Sequence, residues 1–137
     1  MRFKRLSEYF SELEVTSSRN KMVEILSHLF KESDKTEIDK IIYLLQERLV
    51  PAFVKLEFGM SEKLCARAIL LASKGSEKEI ESLSRKLGDY GLVSEAVLRG
   101  KGEGLSIKEV YEALYKIAET SGEGAIGKKV ELLAELL

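Results

Sequence analysis

The 137-residue chain has no tryptophan, one cysteine, one proline and one histidine. Each shortage excludes something. A lone Cys65 rules out an internal disulfide and any cysteine-based zinc site. Next to Leu64 in an apolar stretch, it reads as an inert thiol rather than a nucleophile. His28 has no second histidine with which to share a metal, so it reads as a surface or half-buried structural residue. A single Pro51 and ten glycines leave helices permitted almost everywhere. No apolar run approaches ~20 residues, so no membrane-spanning helix is expected, and no signal-peptide pattern opens the chain. The expectation is a soluble, cytoplasmic protein. Charge, too, has no dominant sign. Lys and Arg number 22 against 23 Asp and Glu, a formal net charge of -1. That balance weighs against indiscriminate nucleic-acid binding but leaves room for a local basic edge on an acidic body.

What is present is helical period. Phe3, Leu6, Phe10 and Leu13 recur at three and four, as do Met22, Ile25, Leu26, Leu29 and Phe30. Ile38, Ile41, Ile42 and Leu45 form a third stripe, and Leu64, Ala68, Leu71 and Ala72 a fourth. Ile80, Leu83 and Leu87 form a fifth. Val110, Leu114, Ile117 and Ala118 follow, then Ile126, Val130, Leu133 and Leu137. No run alternates as a strand would. Thr36-x-x-Asp39, Ser76-x-x-Glu79 and Ser106-x-x-Glu109 read as capping boxes, and Leu105 with Val110 has the spacing of a hydrophobic staple. Gly75, Gly88 and Gly122 fit positions just past helix ends. The fold expected is all-α: a compact orthogonal bundle of about seven to eight helices, without a sheet, forming one domain over residues 1–137.

Catalytic chemistry is hard to place. "GEGAIGKK" (122–129) lacks both the spacing and the preceding strand of a phosphate-binding loop. "KLGDYG" (86–91) sets its lysine one residue too far from Asp89 for a nucleotidyl-lysine motif, and Tyr90 separates Asp89 from Gly91. The carboxylates fall mostly on outer helix faces, where i,i+4 pairing and solubility are their usual work.

Three helix starts are unusual in carrying cations. "TSSRNK" (16–21) places Ser17 and Ser18 before Arg19 and Lys21. "GMSEK" (59–63) places Gly59 and Ser61 before Lys63. "SGEGAIGKK" (121–129) places Ser121, Gly122, Gly124, Ala125 and Gly127 before Lys128 and Lys129. The helix dipole prefers acids at these positions, so a cation there costs a few tenths of a kcal/mol and suggests a nearby anion. Open backbone N–H groups beside Lys or Arg make a phosphate clamp that needs no base contact. The plainer reading is ordinary helix punctuation.

Five blocks in order, "LEVTSSRNKMVEILSHLF", "IIYLLQERLVPAF", "EFGMSEKLCARAI", "KLGDYGLVSEAV" and "LSIKEVYEALYKIAETSGEGAIGKKVELLAELL", resemble the N-terminal DNA-binding domain of ATP-dependent DNA ligases of the archaeal and eukaryotic replicative type. The resemblance runs from about Tyr9 to Leu137, and its last block is the most specific. It implies an all-α module that lies along the minor groove of nicked duplex DNA. Phosphates and sugars would be held through Ser17, Ser18, Arg19, Lys21, Gly59, Ser61, Lys63, Ser121, Gly122, Gly124, Ala125, Gly127, Lys128 and Lys129. A structural turn is expected around Gly88, Asp89 and Gly91, because Asp89 would repel phosphate. The resemblance also implies that this chain holds no catalytic residue and no cofactor. ATP and Mg²⁺ would serve catalytic domains elsewhere in the polypeptide, and the module would support replication, recombination and repair at the nucleoid.

Two departures accompany the match. Many archaeal relatives carry a clamp-binding segment with paired aromatics where residues 99–104 read "RGKGEG", which argues against sliding-clamp binding through that motif. The resemblance also implies that family members continue through further helices past the block matched here, and a face left uncovered at Leu132, Leu133, Leu136 or Leu137 would then favour self-association. A reading from another class stands beside this one: a stand-alone helical protein-interaction domain without DNA affinity, which the net charge of -1 favours slightly.

Overall fold

The computed structural model describes residues 1–98, 102 and 104–137. Arg99, Gly100, Lys101 and Glu103, in the stretch weighed for clamp binding, lie outside the described residues. Eight helices occur among those described: α1 (Phe3–Glu14), α2 (Arg19–Glu32), α3 (Ile38–Leu45), α4 (Glu62–Ser73), α5 (Glu77–Leu87), α6 (Tyr90–Val97), α7 (Ile107–Glu119) and α8 (Ala125–Leu136). No strand forms among the described residues. A single antiparallel bridge joins Arg2 and Ser106. The all-α expectation holds, and the helices form two compact units.

The first unit takes Met1–Lys55 and Glu103–Glu112, hence α1 to α3 and the opening of α7. Its core is Leu6, Tyr9, Ile25, Leu29, Ile41 and Ile107, all buried. Leu6, Ile25, Leu29 and Ile41 come from the expected stripes. Tyr9 is buried because its hydroxyl finds polar partners: it donates to Glu32 and accepts from Arg5 Nη2 at 3.2 Å. The Arg5 guanidinium also lies 4.5 Å from the Tyr9 ring centroid. Hydrogen bonds from Arg5 and Tyr9 hold the Glu32 carboxyl below its ordinary range, and the same network pushes the Tyr9 hydroxyl up. Chain-distant backbone closes the unit. The Phe3 N–H donates to the Leu105 carbonyl at 2.8 Å, and the Ile107 N–H to the Met1 carbonyl at 3.0 Å.

One capping box moves. Thr36 and Asp39 do not form it. The Thr36 N–H instead donates to Asp34 Oδ1 at 2.7 Å, and Glu37 Oε1 accepts from the Asp34 N–H at 3.0 Å. Asp34 draws the turn to itself because a short carboxylate readily binds the N–H two residues on. Glu37 is buried and is held further by the Met1 α-ammonium at 2.8 Å. The box at Ser106 and Glu109 forms as expected, with reciprocal bonds of 2.7 and 3.2 Å.

The second unit takes Leu56–Gly102 and Ala113–Leu137, hence α4 to α6, the rest of α7, and α8. Ile69, Ile80 and Val93 form its buried cluster, with Leu70, Leu83, Leu87, Tyr90 and Val97 packed against it. The stripe expected on α4 is rotated by a residue: Ala68 and Ile69 are buried while Leu71 is 55% exposed. The left-handed residue that ends α4 is Lys74 (φ 55) rather than Gly75. Ser76 caps α5, and Gly88 (φ 70) closes it. Asp89 caps α6, its Oδ1 accepting from the Leu92 N–H at 3.0 Å, which bears out a structural turn there. α4 and α8 pack together.

Candidate nucleic-acid interface

The three cation-bearing helix starts divide between the units. Residues 16–21 lie in the first, and residues 59–63 and 121–129 in the second. On the first, Ser17, Ser18, Arg19 and Lys21 are all exposed. Ser18 is the N-cap of α2, its Oγ accepting from the Lys21 N–H at 3.4 Å, and no acid stands in that first turn. The Ser18 hydroxyl is therefore spent as a cap acceptor, though its proton remains free to donate. Lys21 borders a cleft lined also by Glu12, Glu24 and His28, so its field is partly offset. His28 itself is exposed.

On the second unit, Ser61 caps α4 by accepting from the Leu64 N–H at 3.3 Å. Glu62 and Lys63 follow, both exposed. Lys63 opens onto a cleft shared with Glu62, Arg67, Glu77 and Glu81. Arg67, four residues after Lys63 and exposed, adds a cation to this edge beyond those at the helix start. Its i,i+4 spacing from Lys63 is the sequence cue for it. Cys65, in the same helix, is half-buried, and burial pushes its thiol up, away from nucleophilic chemistry.

The start of α8 differs from the other two. Its N-cap is Gly124, held at φ 75 where a side chain would be strained, and no side chain caps the helix. No acid stands in its first turn. A Cβ placed on Gly122, Gly124 or Gly127 would meet nothing within 4 Å, so this edge is open backbone. Ser121 and Lys128 are exposed, and Ala125 is half-buried. Ile126, which the periodicity assigned to the core, is 61% exposed.

Lys129 departs from its neighbour. It is only 8% exposed, and its Nζ donates to the Phe58 carbonyl at 3.0 Å. It takes part in none of the ion pairs found among the described residues. Here the ammonium is committed to the protein, directed at the loop that carries Gly59. Gly59 has φ +66, and a Cβ there would sit 2.6 Å from the Lys129 Nζ. Two of the three stretches singled out from the sequence are thus brought together by one buried cation. Among the described residues no group of three or more His, Cys, Asp or Glu is placed to hold a metal ion. No helix of the described residues is long and apolar enough to cross a membrane.

The family profile described as DNA ligase N terminus matches residues 2–137. A probable DNA ligase of Dictyoglomus thermophilum is 45% identical over the full chain. The DNA ligase 2 of Thermofilum pendens is 40% identical over 96% of the chain, and the DNA ligase of Saccharolobus solfataricus 40% identical over all of it. The chain spans 24% of the first two of these relatives and 25% of the third. An open, cation-bearing helix edge on an all-α scaffold, and a match along essentially the whole sequence, agree: the chain belongs to the family of DNA ligase N-terminal domains.

Proposed function

We propose that this chain is the DNA-gripping module of an ATP-dependent DNA ligase, holding the minor-groove side of nicked duplex DNA through phosphates and sugars. The observation that carries this reading is the start of α8. It joins bare glycine backbone, no acidic residue in its first turn and an exposed Lys128, in a chain that belongs to a DNA ligase family. Open backbone N–H groups and a lysine at a helix start suit a phosphate, and glycines let the backbone approach a groove closely. Contacts of that kind carry no sequence information, so binding is sequence-independent. On this reading Arg19, Lys21, Lys63 and Lys128 supply the cations, with Ser17, Ser18, Ser61 and Ser121 as hydroxyl donors. Sealing, ATP and Mg²⁺ belong to catalytic domains of a longer polypeptide, which share this chain's location on DNA.

The test replaces Lys128 by Ala and, separately, Lys78 and Lys108 together by Ala. The latter pair sit on helix starts outside the three loops. Lys128→Ala should weaken binding about equally on unrelated nicked duplexes and flatten the log–log salt slope by roughly one. The control pair should bind like the parent. Equal binding by all three proteins would remove α8 from the interface. A parent without salt-dependent binding would favour the protein-interaction alternative.

A further inference from the structure

A buried ammonium is expensive unless something compensates it. Lys129 is 8% exposed, pairs with no carboxylate found among the described residues, and has one protein acceptor, the Phe58 carbonyl at 3.0 Å. Lysine seldom occupies such a position when an apolar residue could fill it. Its Nζ reaches to within 2.6 Å of where a Cβ on residue 59 would stand, so any larger residue there would make the lysine tip shift. Gly59 also adopts φ +66, a conformation that glycine reaches without strain. Lysine and glycine therefore fit one another across 70 residues of sequence.

We propose that Lys129 is a positioning residue. Its ammonium ties the loop around Gly59 to the start of α8, so that the edge carrying Ser61 and Lys63 and the edge carrying Gly124 and Lys128 meet DNA already fixed relative to one another. This rests on the DNA-binding reading above. The energetic logic is preorganisation. A loop held in its bound conformation does not lose conformational freedom on binding, and that saving appears as affinity without adding a phosphate contact. Lys129 and Lys128, adjacent in sequence, thus have separable roles: Lys128 contributes to the salt slope and Lys129 to the intercept.

The experiment uses Lys129→Met, which keeps the stem and removes the charge and the donor. Lys129→Gln, with a polar tip at the same buried position, is a second variant should the first fail to fold. Each is compared with the parent and with Lys128→Ala for binding to one nicked duplex between 50 and 200 mM salt, well below the melting temperature. Amide exchange is read at residues 57–61. Lys129→Met should bind roughly tenfold more weakly at every salt concentration, leave the slope unchanged, and raise exchange at residues 57–61. Unchanged affinity alongside a weakened Lys128→Ala would overturn the positioning role and leave the DNA-binding reading standing. A slope flattened by about one in Lys129→Met would also overturn it, by making Lys129 a direct phosphate contact. Absence of salt-dependent binding in the parent would overturn both.

Discussion

Ser18→Asp should raise stability and lower DNA affinity in one step. Ser18 caps α2 by a long 3.4 Å bond, and Arg19 and Lys21 follow with no acid in the first turn. Aspartate caps a helix about as well as serine, and its charge adds the dipole interaction that α2 lacks. A carboxylate at a helix N-terminus contributes about 0.3–1 kcal/mol. For a chain of this length that corresponds to a rise in melting temperature of roughly 1–4 °C. The effect on binding has the opposite sign. If a phosphate lies ~6 Å away, a new negative charge costs about 0.7 kcal/mol at the dielectric of water and about 3 kcal/mol at the effective dielectric of a protein surface, roughly a threefold to hundredfold loss of affinity at low salt. Thermal unfolding by circular dichroism reads the first effect, and fluorescence polarisation on a nicked duplex at 50 mM salt reads the second. A variant that is more stable and binds like the parent would remove residues 16–21 from the interface. A variant that is less stable would refute the capping argument itself.

Three other outcomes follow from the fold. Lys74, left-handed at φ 55 where α4 ends, should accept glycine with a gain of about 0.5–1 kcal/mol, read as a higher melting temperature for Lys74→Gly. Ile41 is fully buried, so Ile41→Ala should cost about 2–5 kcal/mol in urea unfolding. Hydrogen bonds from Ser106 hold the Glu109 carboxyl below its ordinary range. A depressed folded-state value stabilises the fold above the unfolded value, and that contribution disappears as pH falls through the folded one. The melting-temperature gap between the parent and Glu109→Gln should therefore be full at neutral pH and close as pH drops below about 4.5, the ordinary glutamate value.

Much of this architecture is legible in the sequence because it is local. The Ser76 cap, the box at Ser106 and the left-handed Gly88 depend on residues within a turn of one another, and the helices they bound appear where expected. Features that failed to show depend on competition or on distance. Asp34 takes the Thr36 N–H before Thr36 can serve as a cap. On α4, Leu71 fits a three-four spacing as well as Ile69 does, and only packing decides that Ile69 is the buried one. Ile126 likewise fits the stripe but is 61% exposed. The pairing of Met1 and Phe3 with Leu105 and Ile107 joins residues about 100 apart and leaves no periodic trace. For the candidate site, cations at three helix starts were visible as a pattern. The different fates of Lys128 and Lys129 were not, since adjacent lysines look alike until α8 turns one outward and the other toward Phe58.

The most direct measurement is binding of the unmodified chain to two nicked duplexes of unrelated sequence between 50 and 200 mM salt. Arg19, Lys21, Lys63 and Lys128 are exposed at the three helix starts, and Lys129 is not. If each of the four neutralises one phosphate, the log–log slope should be about -3.6 on both sequences, a loss of roughly 10²-fold in affinity across that range. The expected result is that slope, equal affinities on the two duplexes, and a fall to about -2.7 in Lys128→Ala. Affinity that follows sequence, or no salt-dependent binding at 50 mM, would contradict it.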